Sequence, residues 1–524
     1  MPETVITNQY WHRETATVRR LLIILSLCLY QFGCTQLGPD FVKPEIPAVE
    51  DWIGDNPAIS RDAVELSDWW TVFNDPILDD LVAEAFEQNL SLQITGLRIL
   101  EARAQLGIAV GNQYPQVQEL NGSASTNGLS ENGPNFNPVL DDEFSSYQLG
   151  FDASWELDFW GRFSRGIESA EASLNTTFAD YDDALVSLAA EVARVYVTIR
   201  TLETQLDLAR ANILLQQESL RIAQIRFDNG ATTELDVQQA ISNLNSTRAS
   251  VPALTRSLYQ AMNSLSILLG KPPGELNLMS SDATAIPIAP ARIAAGIPTE
   301  LLRRRPDVRR AEFQAASQSA LIGVAEADLY PSFSLFGSIG LQSSDTGDSG
   351  AGDLFDSDSV VYSAGPSFSW KIFNYGRIRN NVRVQDARYQ QSLVNYQDTV
   401  LRAYQETEDA MIAFFQAQAE AGFREQSATA AFRATEIANI QYREGAVDFQ
   451  RVIDSERTLV AQQEQWTTAR GDIALNLIAV YKALGGGWSL REGQAYISDE
   501  NRDAMAERTN WDDYLEPASR DAPQ

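Results

Sequence analysis

The sequence predicts a mainly α-helical protein with membrane-crossing β-strands, built as a tandem repeat of one structural unit. Three observations predict this fold class. An apolar ladder repeats every 3.5 residues, a nearly constant offset relates the two halves of the chain, and each half alternates polar and apolar residues over a bilayer-spanning length. Such a chain is expected to form long helices joined to a β-barrel that several copies share.

The apolar ladder lies between Tyr181 and Phe227, in steps that alternate between four and three residues. Its members are Tyr181, Leu185, Leu188, Val192, Val195, Ile199, Leu202, Leu206, Ala209, Ile213, Gln216, Leu220, Ala223 and Phe227. Such a repeat keeps its apolar seam aligned only if the helix supercoils left-handedly around its neighbours. A helix from Phe163 to Asp228 would be roughly 100 Å long at ~1.5 Å per residue. The ladder therefore predicts a long coiled-coil helix, which fits a dimeric rod as well as a tube.

The two halves of the chain repeat the same motifs. Tyr114-Pro115 recurs 216 residues later as Tyr330-Pro331, whereas Trp155 recurs 215 residues later as Trp370. The offset of 215 also relates Trp160-Gly161-Arg162 to Tyr375-Gly376-Arg377, 227–230 to 442–445, and Leu268-Leu269-Gly270 to Ala483-Leu484-Gly485. Since a packed heptad seam tolerates no net insertion, the one residue of slack is expected in a loop before Trp155. The sequence thus predicts two repeats, 76–270 and 306–485, separated by a linker at 271–305.

Each repeat is predicted to contain the same parts in the same order. A first helix covers 76–113 in one repeat and 306–329 in the other, and the Tyr-Pro pair ends it because proline disfavours helix. Two strands follow around a polar loop. The long third element then ends at a glycine that suits the left-handed residue after a helix, and a return helix covers 233–269 or 449–484.

The second strand of each repeat alternates between polar and apolar residues. In 147–159 the apolar series is Tyr147, Leu149, Phe151, Ala153, Trp155, Leu157 and Phe159, and polar residues or glycine stand between them. Strands of a soluble sandwich alternate in this way too. The length, however, matches the ~9–11 residues that a tilted strand needs to cross a bilayer. Four strands per chain cannot close a membrane barrel, so a trimer with twelve strands is the simplest closure.

Residues 1–33 resemble an export signal of the lipoprotein type. An apolar run at 21–30 follows a basic region and is too short to span a bilayer, and Gly33 precedes Cys34. The basic residues are Arg13, Arg19 and Arg20. Cys34 is therefore predicted to be lipidated, with ordinary cleavage near it as the alternative. The residue after the cysteine is Thr35 and not an aspartate, which favours sorting to the outer membrane of a Gram-negative cell.

The segments outside the repeats are 34–75, 271–305 and 486–524, and they are rich in proline, glycine and charge. We expect them to form a mixed girdle around the helices. Beyond about Asp499 the acidic, polar tail is expected to be disordered.

The composition argues against several function classes. The formal net charge is −31, which makes nucleic acid an improbable partner. His12, the single histidine, and Cys28 both lie in the segment predicted to be removed. The mature chain would then have no histidine and, with Cys34 lipidated, no free thiol for catalysis or metal binding. We therefore expect no enzyme activity, no cofactor and no metal site. An envelope hydrolase that uses carboxylates alone is the remaining enzymatic alternative.

Four motifs stand in order along the chain. They are Cys34-Thr-Gln-Leu-Gly-Pro-Asp-Phe-Val-Lys-Pro44, Trp155-Glu-Leu-Asp-Phe-Trp-Gly-Arg162, Ala261-Met-Asn-Ser-Leu-Ser-Ile-Leu-Leu-Gly270 and Leu301-Leu-Arg-Arg-Arg-Pro-Asp-Val-Arg-Arg-Ala-Glu312. Over nearly all of residues 34–487 the chain resembles the TolC-like outer-membrane efflux proteins, specifically the lipoprotein branch that serves resistance-nodulation-division pumps. The resemblance implies a homotrimeric twelve-stranded β-barrel in the outer membrane, continued by a long periplasmic α-helical barrel with a mixed equatorial region. It also implies three kinds of partner: a periplasmic adaptor protein, an inner-membrane transporter and outer-membrane lipid.

The resemblance further implies a gate at the periplasmic helix ends. Tyr442 and Asp236 match a Tyr-Asp latch of the family, whereas Val447 departs from the basic residue expected two positions after the second glycine. Asp454 matches one of two acidic entrance positions and Arg451 departs from the other, so three copies would make a mixed-charge ring. Contacts with the adaptor are implied at the two turns, at Asn229, Gly230, Glu444, Gly445 and Asp448.

Two functions remain from these observations. The leading hypothesis is a passive exit duct, which conducts drugs or other small molecules after its helical tip has been opened by the adaptor and the transporter. The alternative is a lipid-anchored structural coiled-coil rod of the periplasm, without transport activity.

Overall fold

A computed structural model describes residues 36–45, 59–60, 66–130, 132, 143–274, 285–294, 303–345, 350–491 and 493–516. The predicted signal segment and Cys34 lie outside the described residues. In chain order the described strands and helices are β1 (Ile59–Ser60), α1 (Pro76–Gln88), α2 (Leu90–Gly111), β2 (Val117–Gly128), β3 (Glu143–Leu157), α3 (Arg162–Asp228), α4 (Glu234–Leu268), β4 (Ile293–Ala294), α5 (Pro306–Ala327), β5 (Ser332–Ser344), β6 (Val360–Ser369), α6 (Arg377–Arg443), α7 (Phe449–Ala483) and α8 (Asp499–Arg508).

The described chain divides into two compact units. The strand unit contains residues 36–43 and the described residues of Ala102–Leu174 and Phe313–Leu393. The described residues of Pro44–Glu101, Asn175–Glu312 and Val394–Gln524 form the helix unit. The long helices α3 and α6 contribute residues to both.

The predicted tandem repeat is confirmed by the lengths and positions of the helices. Helices α3 and α6 both contain 67 residues and begin 215 positions apart, and α4 and α7 both contain 35 residues at the same offset. Helices α2 and α5 both contain 22 residues but begin 216 positions apart. The one residue of slack therefore falls between α2 and α3, in the strand region, while the packed helices keep their register.

The prediction of one continuous helix over 76–113 is wrong, because the chain breaks at Asn89. Asp75 caps α1, and its carboxylate accepts hydrogen bonds from the backbone N–H groups of Ile77 and Leu78. Asn89 then has an extended backbone (φ −64°, ψ 119°). Its Nδ2 donates to the Leu268 carbonyl at 2.8 Å, and its Oδ1 accepts from the backbone N–H of Leu92 at 2.9 Å. The amide thus ends one helix and starts the next, which is how asparagine competes with a continuous helix.

The helix unit buries the predicted apolar ladder. The buried ladder residues are Tyr181, Leu185, Leu188, Val192, Val195, Ile199, Leu206, Ala209, Gln216 and Ala223. Leu202, Ile213 and Leu220 are half-buried, and Phe227 at the end of the ladder is 38% exposed. The seam predicted from the heptad spacing is therefore the packed face of α3.

The strand unit holds an antiparallel four-stranded sheet in the order β2-β3-β5-β6. The central pair, β3 and β5, comes from different repeats, so the sheet joins the two halves of the chain. Strand β2 extends from Val117 to Gly128 although its alternation in the sequence is weak. Among the described residues of one chain, each of the two outer strands, β2 and β6, has one neighbour and one edge without a backbone partner.

One face of this sheet carries large apolar side chains across all four strands. The register places Leu120 beside Phe151, Phe151 beside Ile339, and Ile339 beside Tyr362. These four side chains form what we call the apolar row, and all of them are exposed in the single chain. The opposite face is mainly polar, although Phe336 and Val361 also lie on it, and there Asn121 Nδ2 donates to the Asp152 carboxylate at 2.7 Å. The predicted alternation is therefore seen as two chemically distinct faces.

Among the described helices, we find none whose length and hydropathy together suit a membrane crossing.

The predicted disorder beyond Asp499 is wrong for the first ten residues, which form α8. Ser498 caps this helix by accepting a hydrogen bond from the backbone N–H of Asn501. The Asn501 side chain donates to Gln93 Oε1 on α2 at 2.9 Å. A cap and a tertiary contact thus order a segment whose composition alone predicts disorder.

Candidate functional site

The turns between α3 and α4 and between α6 and α7 have the same backbone geometry. Gly230 and Gly445 have φ values of +71° and +74°, and the N–H of each donates to the carbonyl three residues earlier. The next residue in each turn donates to the carbonyl five residues earlier, from Ala231 to Arg226 and from Ala446 to Gln441 at 2.8 Å. Each helix therefore ends with a glycine in the left-handed backbone conformation, as the sequence predicts. We call the two turns and the adjoining helix ends, from Ser219 to Asn243 and from Asn439 to Glu456, the tip.

A buried apolar cluster joins the four helix ends of the tip. Its members are Ile222, Ala223, Ala240, Ala438, Tyr442, Phe449, Val452 and Ile453, with Leu220 and Val447 packed against it. The ring centroids of Tyr442 and Phe449 lie 5.0 Å apart. The departure at Val447 is thereby explained, since its side chain contributes to this cluster and carries no charge.

The predicted latch residues Tyr442 and Asp236 lie close together. Tyr442 is 2% exposed, and within the described structure its hydroxyl forms no hydrogen bond of ordinary geometry. Burial raises the pKa of the Tyr442 hydroxyl, and the Asp236 carboxylate raises it further. The Thr232 hydroxyl and the Arg226 guanidinium oppose this rise. Thr232 itself donates a hydrogen bond to Asp236.

Arg226 is the tip residue that sequence reasoning missed. Its Nη1 donates to the Tyr442 carbonyl at 2.7 Å, and its Cζ lies 4.8 Å from the centroid of the Tyr442 ring. The same Nη1 also reaches the Arg443 carbonyl at 3.4 Å. A cation in this place satisfies the last carbonyls of α6 and interacts favourably with the negative end of the helix. Arg226 thus ties the end of α3 to the end of α6.

The two predicted entrance residues, Arg451 and Asp454, are both exposed on the first turns of α7. Asp454 accepts a hydrogen bond from Gln450 Nε2 at 2.8 Å. Within the described part of the chain no ion pair joins Arg451 to Asp454. Each chain therefore presents one positive and one negative group on the exposed surface of this helix.

The residues predicted to contact an adaptor lie on the surface of the two turns. Asn229, Gly230, Glu444 and Gly445 are exposed. Asp448 caps α7 by accepting a hydrogen bond from the backbone N–H of Arg451 at 3.2 Å. All five residues are exposed in or beside the turns that join the helices.

Residues 36–40, which follow Cys34 almost at once, are held against the strand unit. The Leu37 N–H donates to the Trp160 carbonyl at 3.1 Å. Arg165, whose side chain is 3% exposed, donates to the carbonyls of Leu37 and Gly38 and pairs with Asp40 at 2.8 Å. These contacts fix the chain within a few residues of the predicted lipidation site.

The described residues contain no group of carboxylate, histidine and cysteine side chains suited to hold a metal ion. The tip combines hydrogen bonds, one buried aromatic cluster and one shared guanidinium. Such an arrangement joins helix ends to one another.

The chain matches the family described as Outer membrane efflux protein twice, over residues 81–271 and 297–486. It is 30% identical over 473 residues to the cation efflux system protein CusC of Escherichia coli O6:H1, which covers 89% of this chain and 98% of that relative. It is 31% identical over 441 residues to the pyoverdine export outer membrane protein OpmQ of Pseudomonas aeruginosa, which covers 83% of this chain and 90% of that relative. Among solved structures, the outer-membrane channel OprN is similar with a TM-score of 0.77 and 32% identity, covering 86% of this chain and 99% of OprN.

Proposed function

The chain belongs to the outer membrane efflux protein family, and on that premise we propose how it carries out transport. It is the outer-membrane channel of a tripartite efflux pump and works with inner-membrane and periplasmic components. The relatives named above are an efflux protein and an export protein. In our proposal the channel conducts passively, because the driving energy is supplied by the inner-membrane transporter.

The apolar row is the observation that carries this proposal. Four large side chains, from Leu120 on β2 to Tyr362 on β6, stand exposed side by side while the other face of the sheet is mainly polar. An apolar stripe of this kind is unfavourable in water and suits contact with lipid, with the polar face lining an aqueous lumen. The alternative, a structural rod confined to the periplasm, gives this stripe no partner.

We propose that three copies of the chain form a homotrimer, which closes the barrel. The outer edges of β2 and β6 lack partners in one chain, and unpaired backbone groups are costly in a bilayer. Because neighbours in the sheet are antiparallel throughout, β6 of one chain would pair antiparallel with β2 of the next. Three chains then give twelve strands and leave no edge.

The tip acts as the periplasmic gate in this proposal. Arg226, Tyr442 and Asp236 hold the helix ends together until an adaptor binds the exposed turns and the transporter engages. In a trimer, three Arg451 and three Asp454 side chains would surround the entrance as a ring of both signs. Such a ring would give weaker cation selectivity than one of aspartates alone.

Two further features complete the proposal. Cys34 carries lipid that inserts in the outer membrane, and the docked segment 36–40 holds this anchor to the strand unit. The cargo is chosen by the partner proteins, which is supported by the different names of two relatives of similar identity, one a cation efflux protein and one a pyoverdine exporter.

Conductance of the purified protein in planar lipid bilayers tests the proposal. The native channel is expected to be mostly closed, and Asp236→Ala combined with Tyr442→Ala is expected to raise the mean conductance at least ~tenfold, since losing a buried aromatic side chain costs about 3–5 kcal/mol. Asp228→Ala, at an exposed position beside the same turn, is the matched control and should leave conductance unchanged. Absence of conductance from both the native protein and the double variant would contradict the duct.

A further inference from the structure

Glu456 lies buried in the tip, where it contacts polar groups from other helices. It is 2% exposed, whereas glutamate is almost never fully buried unless it is paired. Its Oε1 accepts a hydrogen bond from Ser219 Oγ of α3 at 2.5 Å, and its Oε2 accepts one from Asn243 Nδ2 of α4 at 2.9 Å. Ser219 Oγ also lies 3.2 Å from Asn439 Oδ1 of α6. One carboxyl group on α7 is thus connected to all four helix ends.

The groups that face Glu456 from the neighbouring helices are neutral. Helix α3 presents Ser219, α4 presents Asn243 and α6 presents Asn439. The cation that shares a partner with it is Arg457, whose Nε lies 3.3 Å from Asn243 Oδ1. Several charged residues of α3 and α6 near this level pair with each other at the surface: Arg221 with Glu218 at 2.7 Å, Arg443 with Glu218 at 3.4 Å, and Arg433 with Glu436 at 3.0 Å. On α7 itself, Arg451 and Asp454 are exposed to solvent. Within the described chain Glu456 therefore has hydrogen-bond donors but no ion pair.

We propose that Glu456 is a positioning residue of the gate: its protonated form holds the four helix ends in the closed arrangement, and its ionised form favours opening. The inference rests on the proposed role of the tip as the gate. The geometry carries it, because any movement that separates α7 from α3 and α4 must break the bonds of this one carboxyl group and admit water to it.

The direction of the pH effect follows from burial. Burial raises the pKa of the Glu456 carboxyl above its ordinary value of 4.5, although hydrogen bonds from Ser219, Asn243 and Asn439 oppose the rise. Opening returns the carboxyl to water and to its ordinary pKa, so the closed tip binds more protons than the open one. The closed form is accordingly favoured in full below the ordinary pKa, and this preference is lost as the pH rises through the closed-state pKa. Within that window the open-to-closed ratio rises up to about tenfold per pH unit for each protomer.

The experiment compares conductance of the purified full-length channel in planar bilayers between acidic and neutral pH. The native protein is expected to open more as the pH rises. Glu456→Gln keeps the shape and the hydrogen-bonding capacity of the protonated acid, so it should remain closed and lose the pH dependence. Glu464→Gln, at an exposed position of the same helix, should behave as the native protein does.

Ser219→Ala provides a second variant that keeps the titrating group. It removes one donor that stabilises the charged form, so the rise in conductance should extend to higher pH without a loss of slope. If Glu456→Gln retains the native pH slope, or if Ser219→Ala leaves the profile unshifted, the inference is overturned while the gate itself stands. If the Asp236→Ala and Tyr442→Ala double variant also fails to open the channel, the gate is wrong and the inference falls with it.

Discussion

At the scale of single residues, Arg226 uses one guanidinium for two purposes at the tip. Its hydrogen bonds satisfy the final carbonyls of α6, which an isolated helix would leave to water. Its plane lies against the Tyr442 ring, where a cation is attracted to the face of the aromatic system. This positive charge beside Tyr442 comes from another helix, and Val447 packs in the apolar cluster.

Replacing Arg226 with alanine is expected to loosen the closed tip. The lost hydrogen bonds and cation–π contact amount to about 1–3 kcal/mol, or roughly 5–150-fold in the closed-to-open ratio of each protomer. Arg226→Lys should recover only part of this, because an ammonium group can bind the carbonyls but lacks the planar guanidinium that lies against the Tyr442 ring. Mean conductance in planar bilayers measures the effect.

The control for this prediction is Arg221→Ala on the same helix. Arg221 is exposed and pairs with Glu218 at 2.7 Å, so its loss should change conductance little. If Arg226→Ala and Arg221→Ala conduct alike, the role assigned to Arg226 is wrong.

The site shows which residues a sequence can reveal and which it cannot. Gly230 and Gly445 were predictable because a left-handed residue after a helix favours glycine. Tyr442 and Asp236 followed from the family resemblance. The contacts of Arg226 could not be predicted, because its partners are backbone carbonyls 216 and 217 positions away. Every residue has such a carbonyl, so the residue type at those positions does not indicate the contact.

At the scale of elements, the repeat fixes where the long helices begin and end. The offset of 215 residues predicts that α3 and α6 have the same length, since a packed heptad repeat tolerates no net insertion within the helix. The break at Asn89 escaped prediction for the opposite reason. Its amide is held by the Leu268 carbonyl, 179 positions away, and an apolar pattern that continues across the break gives no sign of that contact.

The docked segment 36–40 is another element held by distant contacts. Gly323 lies inside α5, and a Cβ built on it would overlap the Leu37 carbonyl oxygen and crowd the Arg165 side chain. Gly38, with φ +85°, would in turn overlap the backbone of Gly323 if it carried a side chain. Two glycines without Cβ atoms thus allow the segment to approach the helix closely enough for Arg165 to bind its carbonyls.

Gly323→Ala is accordingly expected to displace this segment. Overpacking of this kind costs typically about 1–3 kcal/mol, which outweighs the better helix propensity of alanine. The purified protein should melt at a lower temperature, and a protease should cleave at residues 36–45 faster than in the native chain. Thermal unfolding in detergent and limited proteolysis measure the two effects.

Gly166→Ala is the matched control, since this helical glycine in α3 has open space around the position of a Cβ. That change should be neutral or should stabilise the protein by up to about 1 kcal/mol. Equal behaviour of the two alanine variants would contradict the close approach at Gly323.

At the scale of the whole molecule, the duplication creates a sheet that one chain cannot complete. Each repeat supplies two strands, and pairing of β3 with β5 makes one four-stranded sheet with two open edges. The alternation in the sequence predicts the two faces of this sheet and the need for further copies. It does not predict which strands are neighbours, because the pairing of β3 with β5 brings together residues nearly two hundred positions apart.

The apolar row yields the prediction that tests this assembly. Ile339 lies at its centre, beside Phe151 and Tyr362, and is 59% exposed in the single chain. Ile339→Lys should place a charge against lipid in each copy, at a cost of about 2–4 kcal/mol per chain near the bilayer midplane. We expect a large loss of heat-modifiable trimer from the outer-membrane fraction, measured by gel migration with and without boiling.

Ser338→Lys supplies the comparison that separates the two faces of the sheet. Ser338 is the preceding residue on β5 and lies beside Asp152 on the polar face, so its lysine would meet water and a carboxylate in place of lipid. This variant should assemble as the native protein does, because only the direction of the side chain differs between the two substitutions. Equal loss of trimer in both variants would mean that lysine is tolerated no better on the polar face than on the apolar row. The assignment of one face to lipid and the other to a shared aqueous lumen would then fail, and with it the reason for three chains to close one barrel.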